Sequence, residues 1–214
     1  MELFFQQVLN GLTLGSIYGL VALGLTLVYG ILHVPNFAHG ALYMVGAYVS
    51  YITMVDFGVN YWVAMLLAAV AVAVLAVLCE RLVFNPLRDA PPIHDKIAAI
   101  GIMLFLEALV QMQWGAEFRR MPTPYTEILD IAGMTIPAQR VLIIAGAFSL
   151  MAVLHLFLKK TMTGSTIVAM AQNREGAFLV GIDANRVAMM TFAISGALAA
   201  VGATLFAPIN LVYP

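Results

Sequence analysis

Residues 61–79 read YWVAMLLAAVAVAVLAVLC, without one charged or strongly polar side chain. A helix rises about 1.5 Å per residue, so about 20 residues cross a hydrocarbon core of about 30 Å. The run therefore reads as a membrane span. The rest of the chain agrees. Its 214 residues are 63% hydrophobic and only 10% charged, with a mean hydropathy of +0.96. A soluble domain carries about 25% charged residues. We expect an all-α fold: a polytopic transmembrane helix bundle, one domain over 1–214, with about six spans at 10–32, 38–55, 61–79, 97–114, 139–158 and 188–208. Only HVPNF separates the first two, which leaves open a single re-entrant unit.

All ten Lys and Arg residues fall outside these spans or at their edges. Segment 80–96 holds Arg81, Arg88 and Lys96, and segment 159–187 holds Lys159, Lys160, Arg174 and Arg186. Two spans separate these segments, so they share a face. That face has seven positive charges against three (Arg119, Arg120, Arg140) in 115–140, and the positive-inside rule makes it cytoplasmic. With six spans the N-terminus lies outside; with a re-entrant first pair it lies inside.

Two spans carry small residues at four-residue spacing: Gly11, Gly15 and Gly19, and Ser195, Ala199, Ala203 and Ala207. Small residues let helix backbones approach in lipid, so both stripes are expected to face protein.

Several classes lose support. The net charge of −1 comes with no dense basic stripe, which argues against nucleic acid. The single cysteine, Cys79, forms no internal disulfide and has no ligand-spaced neighbours, and no metal site is expected. MELFFQQ does not read as a cleavable signal, having Glu2 and no basic residue. There is no G-x-x-x-x-G-K-[ST] phosphate loop, no H-E-x-x-H zinc motif and no G-x-S-G of an intramembrane serine protease. His33, His39, His94 and His155 are scattered, so an intramembrane enzyme is the weaker class.

Three features carry chemistry. In HVPNFAHG (33–40), Pro35 removes a backbone donor and pushes Val34 toward an extended conformation, while Asn36, Phe37, His39 and Gly40 follow. The stretch reads either as a tight turn with Asn36 as a helix N-cap, or as a broken element lining a substrate pathway. Asn36 and His39 are expected to affect passage more than folding. Glu107 sits in mid-span, where a charge costs about 2.5–3.5 kcal/mol; it reads either as marking a pathway or a pair, or as a protonated or hydrogen-bonded packing glutamate. Gln111 shares its face at four-residue spacing, Gln113 does not, and His155 is a candidate partner. The third feature is AMAQNREGAFLVGIDANR (169–186), a polar segment between two apolar runs. Thr163 and Gly164 precede a helix-capable run from Ile167 to Val180, and Gly181 can stop it. Such a short helix docks on another protein or is simply a solvated loop.

Glu175, Ala177 and Gly181 give E-x-A-x-x-x-G, which resembles the cytoplasmic coupling loop of prokaryotic ABC importer permeases. Gly176 stands where that pattern has a second Ala, and Thr191 where it has Ile. NGLTLGSIYGLVALGLTLVYGIL, NFAHG and GAY near the start, and AQNREGAFLVGIDANRV with TFAISGALA later, resemble the branched-chain amino acid (LIV-type) permeases over essentially the whole chain. The resemblance implies a non-catalytic multi-pass subunit of a prokaryotic inner or plasma membrane. It would move branched-chain or similar hydrophobic amino acids by alternating access. Its implied partners are a second homologous permease, two ABC ATPase subunits that bind ATP and Mg²⁺, and an extracytoplasmic substrate-binding protein. No cofactor is implied on this chain. Gln172, Arg174, Glu175, Ala177 and Gly181 become the ATPase-coupling residues; Asn36, Phe37, His39, Gly40 and Glu107 remain the pathway candidates. Members continue for further spans, so a chain ending in APINLVYP reads as C-terminally truncated. Urea or short-chain amides as cargo, and a secondary transporter or channel, are the alternatives.

Overall fold

The computed structural model describes residues 2–32, 36–88, 90–123, 125, 127–131 and 134–214. Helix α1 covers Glu2–Leu32 and α2 covers His39–Val55. Helix α3 (Tyr61–Cys79) runs on through a π-helical turn, Glu80–Phe84, to Asn85–Leu87. Then follow α4 (Pro92–Trp114), α5 (Ala138–Lys160), α6 (Met162–Gln172), α7 (Arg174–Leu179) and α8 (Ala184–Phe206). Among the described residues the bundle is all-α apart from one hairpin, β1 (Ile128–Ile131) against β2 (Met134–Pro137), in which Leu129 pairs with Ile136.

Helices α1, α3, α4, α5 and α8 are long and apolar enough to cross a membrane. Helix α2 has 17 residues, about 25 Å, and is the short member. Several boundaries differ from the sequence expectation, including α8, which starts at Ala184 rather than near 188. Helix α1 starts at Glu2 rather than near 10, and α4 starts at Pro92 rather than near 97. Proline suits the first turn of a helix, where its missing N–H is no loss. Helix α3 continues past 79, so Glu80 and Arg81 are helical, not loop. Glu80 is tolerated there because it is buried against a partner, Arg88.

Helix α1 is long and apolar enough to cross by itself, without α2. Helix α2 nevertheless starts deep. His39 Nε2 lies 3.1 Å from the carbonyl oxygen of Val21. Val21 is ten residues before Ile31, the last residue of the α1 span, hence about 15 Å inside it. His33, Val34 and Pro35, on which the broken-element reading partly rested, lie outside the described residues.

Helix α8 is the axis of the bundle and packs against α1, α2 and α3. Its stripe of Ser195, Ala199, Ala203 and Ala207 is buried, as expected. At two crossings the backbones touch. A Cβ on Gly46 of α2 would stand 2.6 Å from Ala200 Cα, and one on Gly196 of α8 would stand 2.8 Å from Val72 O of α3. The α1 stripe is different. A Cβ on Gly11 or Gly15 would meet nothing within 4 Å, and only Gly19 packs, against Met151 of α5. Helix α1 turns another face inward, with Thr13, Ser16, Ile17, Leu20 and Val28 buried. That face offers more surface for dispersion contacts than glycines do. On α3, Leu66, Val70, Val74 and Leu82 point outward, as suits a lipid-facing side.

The two ends are distinct. At one, Arg88 hydrogen-bonds Asn185, and Ile31, Ile167, Met170, Ala177, Ala184 and Val187 form one cluster. Both basic segments therefore share this end. At the other, Arg119 and Val212 exchange backbone hydrogen bonds of 2.9 and 2.8 Å, and Arg140 bonds Asn10 near the start of α1. The N-terminus thus lies opposite the basic end, the side given to it by the six-span alternative, although among the described residues five helices rather than six are long and apolar enough to cross.

Two outcomes are expected. Gly46→Val should lower the thermal midpoint of the detergent-solubilised chain by the equivalent of about 1–3 kcal/mol through overpacking, whereas Gly11→Ala should leave it unchanged. In a Cys79→Ala background, Arg120→Cys should react with an impermeant thiol reagent on intact cells, and Glu175→Cys only after permeabilisation.

Candidate functional site

A cavity of about 450 Å³ lies between α1, α2, α8 and the tail that follows α8. It runs from Asn210–Pro214, at the end opposite the basic segments, down to Val21 and Gly40 at mid-depth. Ile17, Tyr18, Met44 and Phe206 make its walls largely apolar, and Glu107 of α4 also borders it. Glu107 is half-buried and makes no hydrogen bond or ion pair among the described residues. Of the candidate pathway residues, the fold brings Gly40 and Glu107 to this cavity. Asn36 and His39 are buried but do not border it, and Phe37 is exposed. His155 is exposed on α5 and does not pair with Glu107, because α5 packs on α1 and α8 whereas α4 packs on α2. Gln111 and Gln113 are both exposed.

A polar knot lies just beneath the cavity and joins three helices. Ser195 Oγ of α8 donates to the carbonyl of Gly24 in α1 at 2.8 Å and lies 3.3 Å from His39 Nδ1. His39 Nε2 reaches Val21 O. A neutral imidazole protonated on Nε2 donates to Val21 O and leaves Nδ1 to accept. The one hydroxyl proton of Ser195 then serves either Gly24 O or His39, so the knot has two hydrogen-bond arrangements. Sequence reading found His39 but treated Ser195 only as a small packing residue; its separation of 156 positions from His39 hid the pairing. Asn36 is not the N-cap of α2, a place held by Ala38. Its Oδ1 instead accepts from the Ala38 N–H at 3.1 Å, and its carbonyl from the His39 N–H at 3.1 Å, an Asx turn that aims His39 inward.

The polar segment at the other end folds as two helices, not one run from Ile167 to Val180. Thr161, rather than Thr163, caps α6 by accepting from the Gly164 N–H at 2.9 Å. Asn173 then leaves the helical region (φ −153°), and its Oδ1 caps α7 through the Gly176 N–H at 2.9 Å. A Cβ on Gly176 would stand 3.1 Å from that amide, so the Asn173 side chain would have to shift by a few tenths of an ångström to admit it. Gly181 ends α7 at φ +84°, with its N–H on Phe178 O and the Ile182 N–H on Ala177 O, both at 3.0 Å. This is a Schellman motif, which favours glycine.

Of the five coupling candidates, Ala177 is buried against α1 and α8, while Gln172, Glu175 and Gly181 are exposed. Arg174 is half-buried, with its guanidinium 5.8 Å from the centre of the Phe178 ring. Phe178, Leu179 and Val180 form an exposed apolar tip, Leu179 at 89% exposure. Close by, Arg88 pairs with buried Glu80 at 2.7 Å and bonds Asn185, which ties the end of α3 to the start of α8. A carboxylate this buried requires its cation, because breaking such a pair leaves a charge uncompensated. Neither Glu80 nor Asn185 was singled out by sequence; the spacing between Glu80 and Arg88 exceeds the three or four residues that signal a helical pair.

Among the described residues, no cluster of His, Cys, Asp and Glu has metal-binding geometry. No solved structure matches the chain. Known sequences do. The chain is 34% identical to the high-affinity branched-chain amino acid transport system permease protein BraD of Pseudomonas aeruginosa, over 94% of this chain and 70% of that protein. It is 33% identical to the permease protein LivH of Escherichia coli K12 over the same shares, and 32% identical to a probable LivH of Methanocaldococcus jannaschii over 87% of this chain and 61% of that protein. The family described as the permease component of the branched-chain amino acid transport system matches residues 7–214. The chain is a multi-pass membrane protein and belongs to that permease family.

Proposed function

We propose that this chain is the transmembrane subunit of an ATP-driven ABC importer in a prokaryotic inner membrane, and that it passes branched-chain or similar hydrophobic amino acids inward by alternating access. ATP and Mg²⁺ bind a pair of partner ATPase subunits. A second homologous permease completes the membrane unit, and an extracytoplasmic binding protein delivers the cargo.

One observation carries the reading: the helices that wall the cavity also hold the polar segment. Helix α1 borders the cavity with Ile17 and Val21 and meets the segment with Ile31. Helix α8 does the same with Ala203 and with Val187 and Ala188. A push on α7 therefore reaches the cavity floor through two continuous helices. The apolar tip at Phe178–Val180, flanked by polar Gln172 and Glu175, suits a groove on the ATPase. The cavity faces the binding protein, and the knot of Val21, Gly24, His39 and Ser195 closes it toward the cytoplasm. Transport then requires α1, α2 and α8 to part at that knot, and the alternative arrangement of the Ser195 proton eases the exchange of partners.

Affinity purification of the tagged chain should bring down an ATPase. Glu175→Arg should weaken that association about tenfold or more, since a rim charge is reversed next to the docking tip. Gly181→Val should keep the ATPase bound but uncouple hydrolysis from uptake, because a β-branched residue resists positive φ. Uptake that persists without ATPase and follows a proton or sodium gradient would replace this reading with a secondary transporter. Asn36→Ala and His39→Ala should each lower uptake at least tenfold while removing only about 1 kcal/mol of stability. Normal uptake with both replaced would remove them from the pathway.

A further inference from the structure

We propose that Glu107 is the subsite for the ammonium group of the transported amino acid, held in the cavity between α1, α2 and α8. This rests on the permease reading and adds to it the chemistry of the cargo site. Among the described residues, no other side chain bordering the cavity carries a formal charge. Glu107 is therefore a single negative group on a largely apolar wall. A carboxylate in mid-span is costly and persists where it faces a cavity or meets a cation. Here it faces a cavity and has no cation of its own among the described residues. Its own helix presses Leu106 and Val110 into the core on either side, which fixes where the carboxylate emerges.

A ligand that fits must bring a cationic hydrogen-bond donor and an apolar body. The volume, about 450 Å³, is in the usual range for small-molecule sites and holds an amino acid with a short aliphatic side chain. The ammonium meets Glu107 as a charge-assisted pair, stronger here than in water because the walls are apolar. The side chain lies against Ile17, Val21 and Met44. The α-carboxylate, repelled by Glu107, turns to the mouth, where Asn210 offers an amide N–H donor. An ammonium-free analogue loses the pair and adds a repulsion.

The test uses the purified full chain and needs neither ATP nor partners. Dicyclohexylcarbodiimide modifies carboxyl groups in apolar surroundings, and the Glu107 peptide is followed by mass spectrometry. Leucine and 3-methylbutylamine should slow labelling at Glu107 about fivefold or more; 4-methylpentanoate, which lacks the amine, should not. Equal protection by 4-methylpentanoate, or absence of protection by any probe, would overturn the assignment. In the assembled importer, Glu107→Gln should raise KM for leucine about tenfold, a larger change than in maximal rate, with Glu107→Asp partly restoring it. An unchanged KM in both variants would also overturn it. An unaltered complex that takes up no leucine would instead overturn the permease reading, because the labelling result stands without transport.

Discussion

Close backbone contact along α8 is the constraint on which the bundle depends. Lipid tails are as apolar as leucine, so no hydrophobic force draws the helices together once they are inserted. Association then rests on packing, and packing is best where side chains do not hold the backbones apart. Gly46 against Ala200 and Gly196 against Val72 and Ala76 bring α2 and α3 into direct contact with α8. The third neighbour, α1, is joined by a hydrogen bond, from Ser195 to Gly24. Helix α8 is accordingly far more buried than the other spans: 61% of its apolar window lies inside the protein, against 17% for α4 and α5.

The start of α2 marks the floor of the site. Helix α2 starts at mid-depth, held by the Asx turn at Asn36 and by His39, and its first turns, Gly40 to Ala47, wall the cavity. The polar groups at its start are satisfied by protein, which is the condition for any break in a helix at that depth. Above that point α1, α2 and α8 border the cavity; at it the hydrogen bonds among Val21, Gly24, His39 and Ser195 join the same three helices.

The basic end follows a different logic. Its order comes from caps and paired charges: Thr161, Asn173 and Asp183 each cap a short or long helix, and Glu80, Arg88 and Asn185 lock α3 to α8. This fixes the base of the polar segment while leaving Leu179 and Val180 bare at its tip. Under the proposed coupling role, a firm base would pass displacement of the tip to α1 and α8 rather than absorb it.

Much of this protein was legible from residue order. Apolar runs near the bilayer thickness marked the spans, and the imbalance of Lys and Arg sorted the loops between two ends, because both signals are local sums over neighbouring residues. The E-x-A-x-x-x-G and NFAHG blocks carried the family for the same reason. Helix breaks were less legible, as Asn173 shows, since a cap competes with helix propensity over a single turn. Only the tertiary structure decided which glycines touch another helix: Gly46 and Gly196 do, while Gly11 and Gly15, in the more regular stripe, face open space. It alone joined His39 to Ser195, Glu80 to Asn185 through Arg88, and Glu107 to the cavity. In lipid, a span's composition determines that it inserts, but its rotation about its own axis depends on the shape of its neighbours. Residues far apart in the chain supply that shape, and no single stretch contains it.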